Sequence, residues 1–223
     1  MMLPGSRWPA LPYTLPFVAF LFMLAIRGVL PGDHEYAIRT GAVALILVAV
    51  SPGVTALRPR RAMGSIAVGV AVFMAWVAPD LIWPGYRNHW LFSNDLTGIA
   101  KSTLPENVRG NFSYLASRIA GSVLLVPVIE ELFWRAWLMR FLISHDFRSV
   151  PLGTYGFVSF WVTAFLFASE HGPYWDVGLL AGIVYGWWMI RTKSLADCIV
   201  AHAVTNLSLA AYVIAGSHWK YWL

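Results

Sequence analysis

The sequence predicts an all-α fold, a polytopic bundle of transmembrane helices with about seven spans, or eight at most. Hydrophobic residues make up 58% of the 223-residue chain and charged residues only 12%, and the mean hydropathy is +0.62. These values lie outside the range of soluble globular proteins. The apolar residues are also grouped in seven stretches that approach the ~20 residues a helix needs to cross a bilayer. We therefore expect a single integral-membrane domain over residues 1–223.

The seven candidate spans follow one another with mostly short polar connections. The first contains Pro12 and Pro16 near its start, where a helix tolerates proline. No clear small-residue cleavage site follows it, so we interpret it as a retained span and not as a removable signal. One longer polar connection, 84–111, separates the third span from the fourth. The predicted spans are 11–30, 40–57, 63–83, 112–143, 155–170, 176–190 and 194–215.

Basic residues predict the orientation of the bundle. Arg58, Arg60 and Arg61 lie between the second and third spans, and basic residues in short loops favour the cytoplasmic side. Counting alternate loops from there gives eight basic residues on this side and five on the other, with the N-terminus in the cytoplasm. The net charge of +5 is explained by these loops, so no nucleic-acid partner is expected. The two sets are Arg7, Arg58, Arg60, Arg61, Arg140, Arg148, Arg191 and Lys193, against Arg39, Arg87, Lys101, Arg109 and Lys220.

The fourth span carries ionisable side chains that an apolar helix does not need. Each such group costs roughly 2.5–3.5 kcal/mol at the bilayer centre, so it persists when paired or when it faces a wet interior. Glu131 and Arg135 are four residues apart and share a helix face, which predicts an ion pair. Glu130 points about 100° away from Glu131. We therefore expect Glu131 to be structural and Glu130 to face other groups.

Two more polar clusters lie in the fifth and seventh spans. Phe167 precedes His171 by one helical turn, and His202 precedes Asn206 by the same spacing. At ~1.5 Å per residue these groups reach the depth of Glu130 to within about two helical turns. Taken singly, each cluster is more simply explained by an ion pair, a histidine near the headgroups or interhelical hydrogen bonding. Taken together, they favour a site in which the free face of Glu130 meets His171, His202 and Asn206.

The remaining acidic residues and the single cysteine are interpreted without a catalytic role. Glu170 adjoins His171 but lies about 100° around the helix, so it is expected to face water or headgroups. Asp176 and Asp197 are interpreted as loop or interface residues. Because Cys198 is the single cysteine of the sequence, an internal disulfide and a cysteine-based metal cluster are excluded. Cys198 is expected to pack in the interior.

The three motifs, in this order and on separate spans, resemble those of the CAAX prenyl protease and bacteriocin-processing family of intramembrane glutamic endopeptidases. The resemblance covers roughly 126–209, within a motif-bearing core of about 112–215, and the first hundred residues carry no family motif. The short chain and its tryptophan content are also similar to the exosortase-associated bacterial branch, which implies a multi-pass protein of the bacterial inner membrane. The motifs are Glu130-Glu131-x-x-x-Arg135, Phe167-x-x-x-His171 and His202-x-x-x-Asn206.

One position departs from the family pattern. Trp134-Arg135-Ala136 stands where the family commonly has Phe-Arg-Gly. This difference bears on helix packing and leaves the ionisable residues intact.

The resemblance implies an endopeptidase that cleaves a membrane-associated or lipidated protein or peptide without a cofactor or metal. Hydrolysis of a peptide bond needs an activated water and a stabiliser for the oxyanion. Glu130 is expected to accept the proton of a water that His171 helps to orient. His202 and Asn206 are expected to donate hydrogen bonds to the oxyanion. The supporting residues are Glu131, Arg135 and Phe167.

Three alternatives compete with this interpretation. A metal-dependent protease would use carboxylate and imidazole ligands, but the sequence lacks His-Glu-x-x-His and asparagine is a poor zinc ligand, so the metal-free mechanism is preferred. A serine protease of the rhomboid type is disfavoured because no Gly-x-Ser-x-Gly occurs. A non-enzymatic transporter, binding or immunity protein is the third alternative, although no inverted copy of the Glu-Glu stretch occurs. The expected partners are membrane lipids and a membrane-tethered substrate, and no residue identifies a prenyl group.

Overall fold

The computed structural model describes residues 8–30, 34–54, 58–102 and 104–222. Within these ranges the chain forms seven helices longer than two turns and no strand, which confirms the predicted all-α fold. Arg7 and the last part of the second predicted span, 55–57, lie outside the described residues. We label the helices α1 to α7: Leu11–Ala25, Glu35–Val50, Ala62–Ile82, Phe112–Phe141, Phe157–Ser169, Trp175–Thr192 and Leu195–Gly216.

Three of these helices, α3, α4 and α7, are long and apolar enough to cross a membrane. The apolar helices α1 and α5 are shorter than a full span. The protein is therefore a membrane protein with a helical bundle, as predicted, while the count of seven spans stays a prediction.

Successive helices alternate in direction, so the bundle has two ends. At the arginine end α1, α3, α5 and α7 begin and α2, α4 and α6 finish; the opposite end is called the loop end. Helix α3 packs on α7, α5 on α6, and α1 on α2. Arg27 and Arg118 lie at the loop end, where α1 finishes and α4 begins. They belong to neither of the two sets of basic residues counted from the sequence.

The long polar connection between α3 and α4 folds over the loop end. It contains two 3-10 turns, Tyr86–Asn88 and Glu106–Val108. Arg87 attaches this connection to the helices. Its buried guanidinium forms an ion pair with Asp176 and lies 3.6 Å from Asp80. Asp80 also accepts a hydrogen bond from Lys220 at 3.1 Å. This network ties the connection to α3, α6 and the C-terminal residues.

Asp176 and Asp197 have more specific positions than the sequence indicated. Asp176 lies in the first turn of α6 and pairs with Arg87. Asp197 is fully buried, so its interpretation as a loop or interface residue is wrong. Its carboxylate accepts the backbone N–H groups of Arg60 at 3.0 Å and Arg61 at 2.8 Å, where α3 begins. A carboxylate satisfies the free N–H groups of a helix start, which explains why this charge is buried.

Candidate active site

The helix that carries the two carboxylates is not a regular α-helix. Its segments Gly121–Leu125 and Leu132–Leu138 are π-helical and flank the short α-helical stretch Val126–Glu131. Pro127 has no N–H to donate back along the helix, which favours an irregular turn just before it. Short π-helical segments within α-helices occur frequently at functional sites. A uniform period of 3.6 residues per turn does not predict these π-helical segments.

Glu131 is the centre of a buried hydrogen-bond chain. Its Oε1 accepts hydrogen bonds from Arg135 Nη1 at 3.2 Å and from His202 Nδ1 at 3.0 Å. The side chains of Glu131 and Arg135 are completely buried. The predicted pair of Glu131 and Arg135 is therefore confirmed. Buried charges persist when such partners satisfy them, so the chain holds α4 and α7 in one relative position.

Arg135 makes further contacts with α5 and α6. Its Nη2 donates to the carbonyl of Gly182 at 3.4 Å, and its Cζ lies 4.5 Å from the centre of the Phe167 ring. The same ring lies 4.8 Å from the His171 ring and 6.1 Å from the His202 ring. Phe167 therefore packs against all three of these side chains, Arg135, His171 and His202.

His202 has a different partner from the one the sequence suggested. The sequence placed it on the face of Glu130, whereas its Nδ1–H donates to Glu131. The reason is the rotation of α7, which turns His202 toward the face of α4 that carries Arg135. Tyr185 stacks on the imidazole with ring centres 5.1 Å apart. These contacts leave Nε2 as the nitrogen of His202 that can meet a substrate.

Glu130 is buried but incompletely satisfied. Its side chain is only 8% exposed, and Oε2 has no hydrogen-bond partner among the described residues. Glu130 is close enough to His202 and Glu170 to interact with both electrostatically. This oxygen is available to a water molecule or a reacting group, and Oε2 of Glu131 is also buried without a partner among the described residues.

His171 follows the last turn of α5, at the loop end. Its Nδ1 donates to the carbonyl of Phe167 at 2.8 Å, so in the neutral ring Nε2 is an acceptor. Trp76 covers the ring with centres 5.2 Å apart. His171 also lines a cavity of about 430 Å³ that the connection 84–111 covers at Thr97 and Lys101. This cavity joins His171 to the loop end of the bundle, and Glu130, His202 and Asn206 are not among its lining residues.

Asn206, a predicted site residue, and Glu170, which was expected to face water or headgroups, lie at the edge of this arrangement. Asn206 donates one amide hydrogen to the carbonyl of Ser122, at 2.7 Å, within the first π-helical segment of α4. An amide has two hydrogens, so one remains for another acceptor. Glu170 is exposed and lines the same cavity as His171.

Tyr185 and the glycines of α6 contribute to the site but were missed in the sequence analysis. The Tyr185 hydroxyl donates to Thr205 Oγ1 at 2.7 Å, which fixes the ring that covers His202. A Cβ added to Gly178 would lie 3.0 Å from His171 Cγ, and one added to Gly182 would lie 3.2 Å from Ala164 Cα. Small residues spaced by four permit close packing of membrane helices. The repeat of Gly178, Gly182 and Gly186 was therefore the available signal, whereas nothing in the sequence marked Tyr185.

Of the carboxylate and imidazole groups, Glu131 and His202 are joined in one hydrogen-bond chain with Arg135. In the part of the chain that the structure describes, no three His, Cys, Asp or Glu side chains are grouped to hold a metal ion. The arrangement offers four groups to a substrate. They are the free Oε2 of Glu130, the accepting Nε2 of His171, Nε2 of His202 and the remaining amide hydrogen of Asn206.

Residues 112–208 match the family model described as type II CAAX prenyl endopeptidase, Rce1-like. No curated protein and no solved structure matches the chain. The matched segment contains every predicted site residue from Glu130 to Asn206. The match confirms the family resemblance, and it supports a CAAX-type intramembrane protease activity in general.

Proposed function

From the Rce1-like match of residues 112–208, we propose that this protein is a glutamic intramembrane endopeptidase that cleaves a membrane-associated or lipidated protein or peptide. One observation carries the proposal. Glu130 keeps a buried, unpartnered carboxylate oxygen beside the hydrogen-bonded chain of Glu131, Arg135 and His202. Glu131 also has a buried oxygen without a partner, Oε2, but its Oε1 accepts from two donors, whereas no hydrogen bond from a described residue reaches Glu130.

In the proposed reaction, Glu130 removes a proton from water as the water oxygen attacks the substrate carbonyl. His171 Nε2 accepts the second hydrogen of this water and thereby orients it. The oxyanion that forms accepts hydrogen bonds from Asn206 and from His202 Nε2. His202 donates from both nitrogens only as imidazolium, and the carboxylates of Glu130 and Glu131 together balance the positive charges of His202 and Arg135. Glu130 then returns the proton to the leaving nitrogen as the peptide bond breaks.

The experiment that tests the proposal compares membrane proteomes of cells that contain wild-type protein, Glu130→Ala or Glu106→Ala. Glu106 is the matched control because its side chain is 90% exposed in the connection 84–111. We expect at least one membrane-tethered protein to accumulate uncleaved with Glu130→Ala alone. Identical proteomes in all three strains would contradict the proposal and favour a transporter or binding protein.

We also propose that the arginine end faces the cytoplasm of a bacterial inner membrane, so that the cavity beside His171 opens on the outer face. Within the described ranges, four loop-end basic residues pair with carboxylates, namely Arg39, Arg87, Arg109 and Lys220. No such ion pair is found for the basic side chains of the arginine end in the same ranges. The arginine end carries Arg58, Arg60 and Arg61 in one short loop, and basic residues in short loops favour the cytoplasmic side.

Cysteine labelling tests this orientation. Lys101→Cys would place a thiol at the loop end and Arg148→Cys one at the arginine end, both at exposed positions. The native Cys198 is fully buried and adds little background. In intact cells we expect an impermeant maleimide to label Lys101→Cys at least tenfold more than Arg148→Cys, and permeabilisation to equalise them. The opposite pattern would reverse the proposed orientation.

Gly178 offers a test of how closely His171 must be positioned. In Gly178→Ala the new Cβ would press on the imidazole, whose Cγ would lie 3.0 Å away. Since small displacements of catalytic groups reduce rates strongly, we expect roughly 3- to 30-fold lower kcat/KM. Gly41→Ala is the control, because nothing lies within 4 Å of its added Cβ. Equal activity of the two variants on a substrate found by the proteome comparison would show that the position of His171 is unimportant.

A further inference from the structure

We propose that a second cavity, at the arginine end, binds the phosphate headgroup of an anionic phospholipid. The cavity has a volume of about 500 Å³ and lies between α1, the segment before α3, the end of α4 and the start of α7. Four basic residues line it, and none of its lining residues is acidic. The basic residues are Arg58, Arg60, Arg140 and Lys193.

The fold holds this positive surface in place. Asp197 accepts the backbone N–H of Arg60, so the carboxylate fixes the chain beside the cavity and leaves the guanidinium free of it. Arg140 is 8% exposed and donates to the carbonyls of Ala136 and Val150, at 2.5 Å and 3.2 Å. Its Cζ also lies 5.1 Å from the centre of the Phe147 ring. Arg140 is therefore anchored in the wall, whereas Arg58 and Lys193 are exposed at the cavity.

The charge of this cavity contrasts with that of the loop end. A cavity there is also lined by arginines, but Glu35 lines it too and pairs with Arg39 at 2.8 Å. Like charges brought together without a counter-charge repel one another, and a bound anion would relieve that repulsion. Guanidinium groups match phosphate oxygens in shape and donate two parallel hydrogen bonds. A phosphate ester is therefore the ligand chemistry that four basic side chains recognise.

The position of the cavity indicates a lipid as the source of the phosphate. Apolar side chains complete its lining, including Tyr13, Leu152 and Leu195. Large apolar residues are exposed where the helices of this end begin, among them Met63 at 79% and Phe157 at 68%. Acyl chains would cover such residues while the headgroup reaches the cavity. Basic pockets between membrane helices on the cytoplasmic side bind anionic headgroups in the same way.

The test compares two double variants of the full-length protein that remove the same charge from the same end. Arg58→Gln with Lys193→Gln changes the cavity, and Arg148→Gln with Arg191→Gln changes exposed residues that do not line it. Each protein is purified, and phosphatidylglycerol and phosphatidylcholine binding are measured by native mass spectrometry. Because each basic residue near an anionic surface contributes about fivefold in affinity, we expect phosphatidylglycerol to bind roughly 25-fold more weakly to the cavity variant.

The control variant should retain wild-type affinity for phosphatidylglycerol, and phosphatidylcholine should bind weakly to all three proteins. Equal affinity of the two double variants for phosphatidylglycerol would overturn the proposal. A separate titration with inorganic phosphate distinguishes the source of the anion. If inorganic phosphate displaces no lipid and does not raise the thermal stability of the wild type at millimolar concentration, the headgroup assignment is supported. If it stabilises the protein as much as the lipid does, the lipid assignment is overturned.

Discussion

Glu130→Gln is expected to abolish peptide-bond cleavage while the protein remains folded in the membrane. The amide has the size of the carboxylate but cannot accept a proton from water, and general-base catalysis contributes about 10²- to 10⁴-fold. We expect kcat/KM to fall at least ~10³-fold. Because Oε2 of Glu130 has no protein donor, the substitution removes no hydrogen bond to that atom. Cleavage of the substrate identified by proteomics, by purified protein in liposomes, is the measurement.

Two further variants make this prediction specific. Glu106→Gln removes an exposed carboxylate and should cleave at the wild-type rate. Glu130→Asp keeps a carboxylate but withdraws it by one methylene, so its activity should lie between those of the wild type and Glu130→Gln. Full activity of Glu130→Gln would refute the role of Glu130 as the base.

Arg135→Met is expected to destabilise the bundle more than any other single change discussed here. Glu131 and Arg135 are both completely buried, so the substitution leaves a buried carboxylate with His202 as its remaining donor. Removing one partner of a buried ion pair costs about 3–5 kcal/mol. The free energy of unfolding, measured by denaturation in mixed detergent micelles, should fall by about that amount.

The double variant separates charge from packing. Glu131→Gln in the Arg135→Met background removes the uncompensated charge and should recover more than half of the lost stability. Arg109→Met is the matched control, since its partner Glu106 is 3.8 Å away and largely exposed, and such pairs contribute about 0–1 kcal/mol. If the double variant is no more stable than Arg135→Met, lost packing against Phe167 explains the effect instead of the ion pair.

Contacts within one helix could be predicted from the sequence, and contacts between helices could not. The pair of Glu131 and Arg135 follows from residues four apart on one helix, and the packing of Phe167 on His171 follows from the same spacing across the end of α5. The hydrogen bond between His202 and Glu131 joins residues 71 positions apart. It depends on how α7 is rotated against α4, and the π-helical segments of α4 change that relation again. The hydrogen bond from Asn206 to the Ser122 carbonyl also depends on how α7 is rotated against α4.

Composition and motif spacing by themselves determined that this chain is a helical membrane protein and that its ionisable residues resemble the motif series of one protease family. They did so because apolar length sets where helices form and because buried charge is too costly to be accidental. Only the tertiary structure decided which carboxylate is committed and which is free: Glu131 accepts two hydrogen bonds on Oε1, and no described residue donates a hydrogen bond to Glu130. The physical reason is that hydrogen-bond partners from other helices depend on rotations that no local pattern encodes.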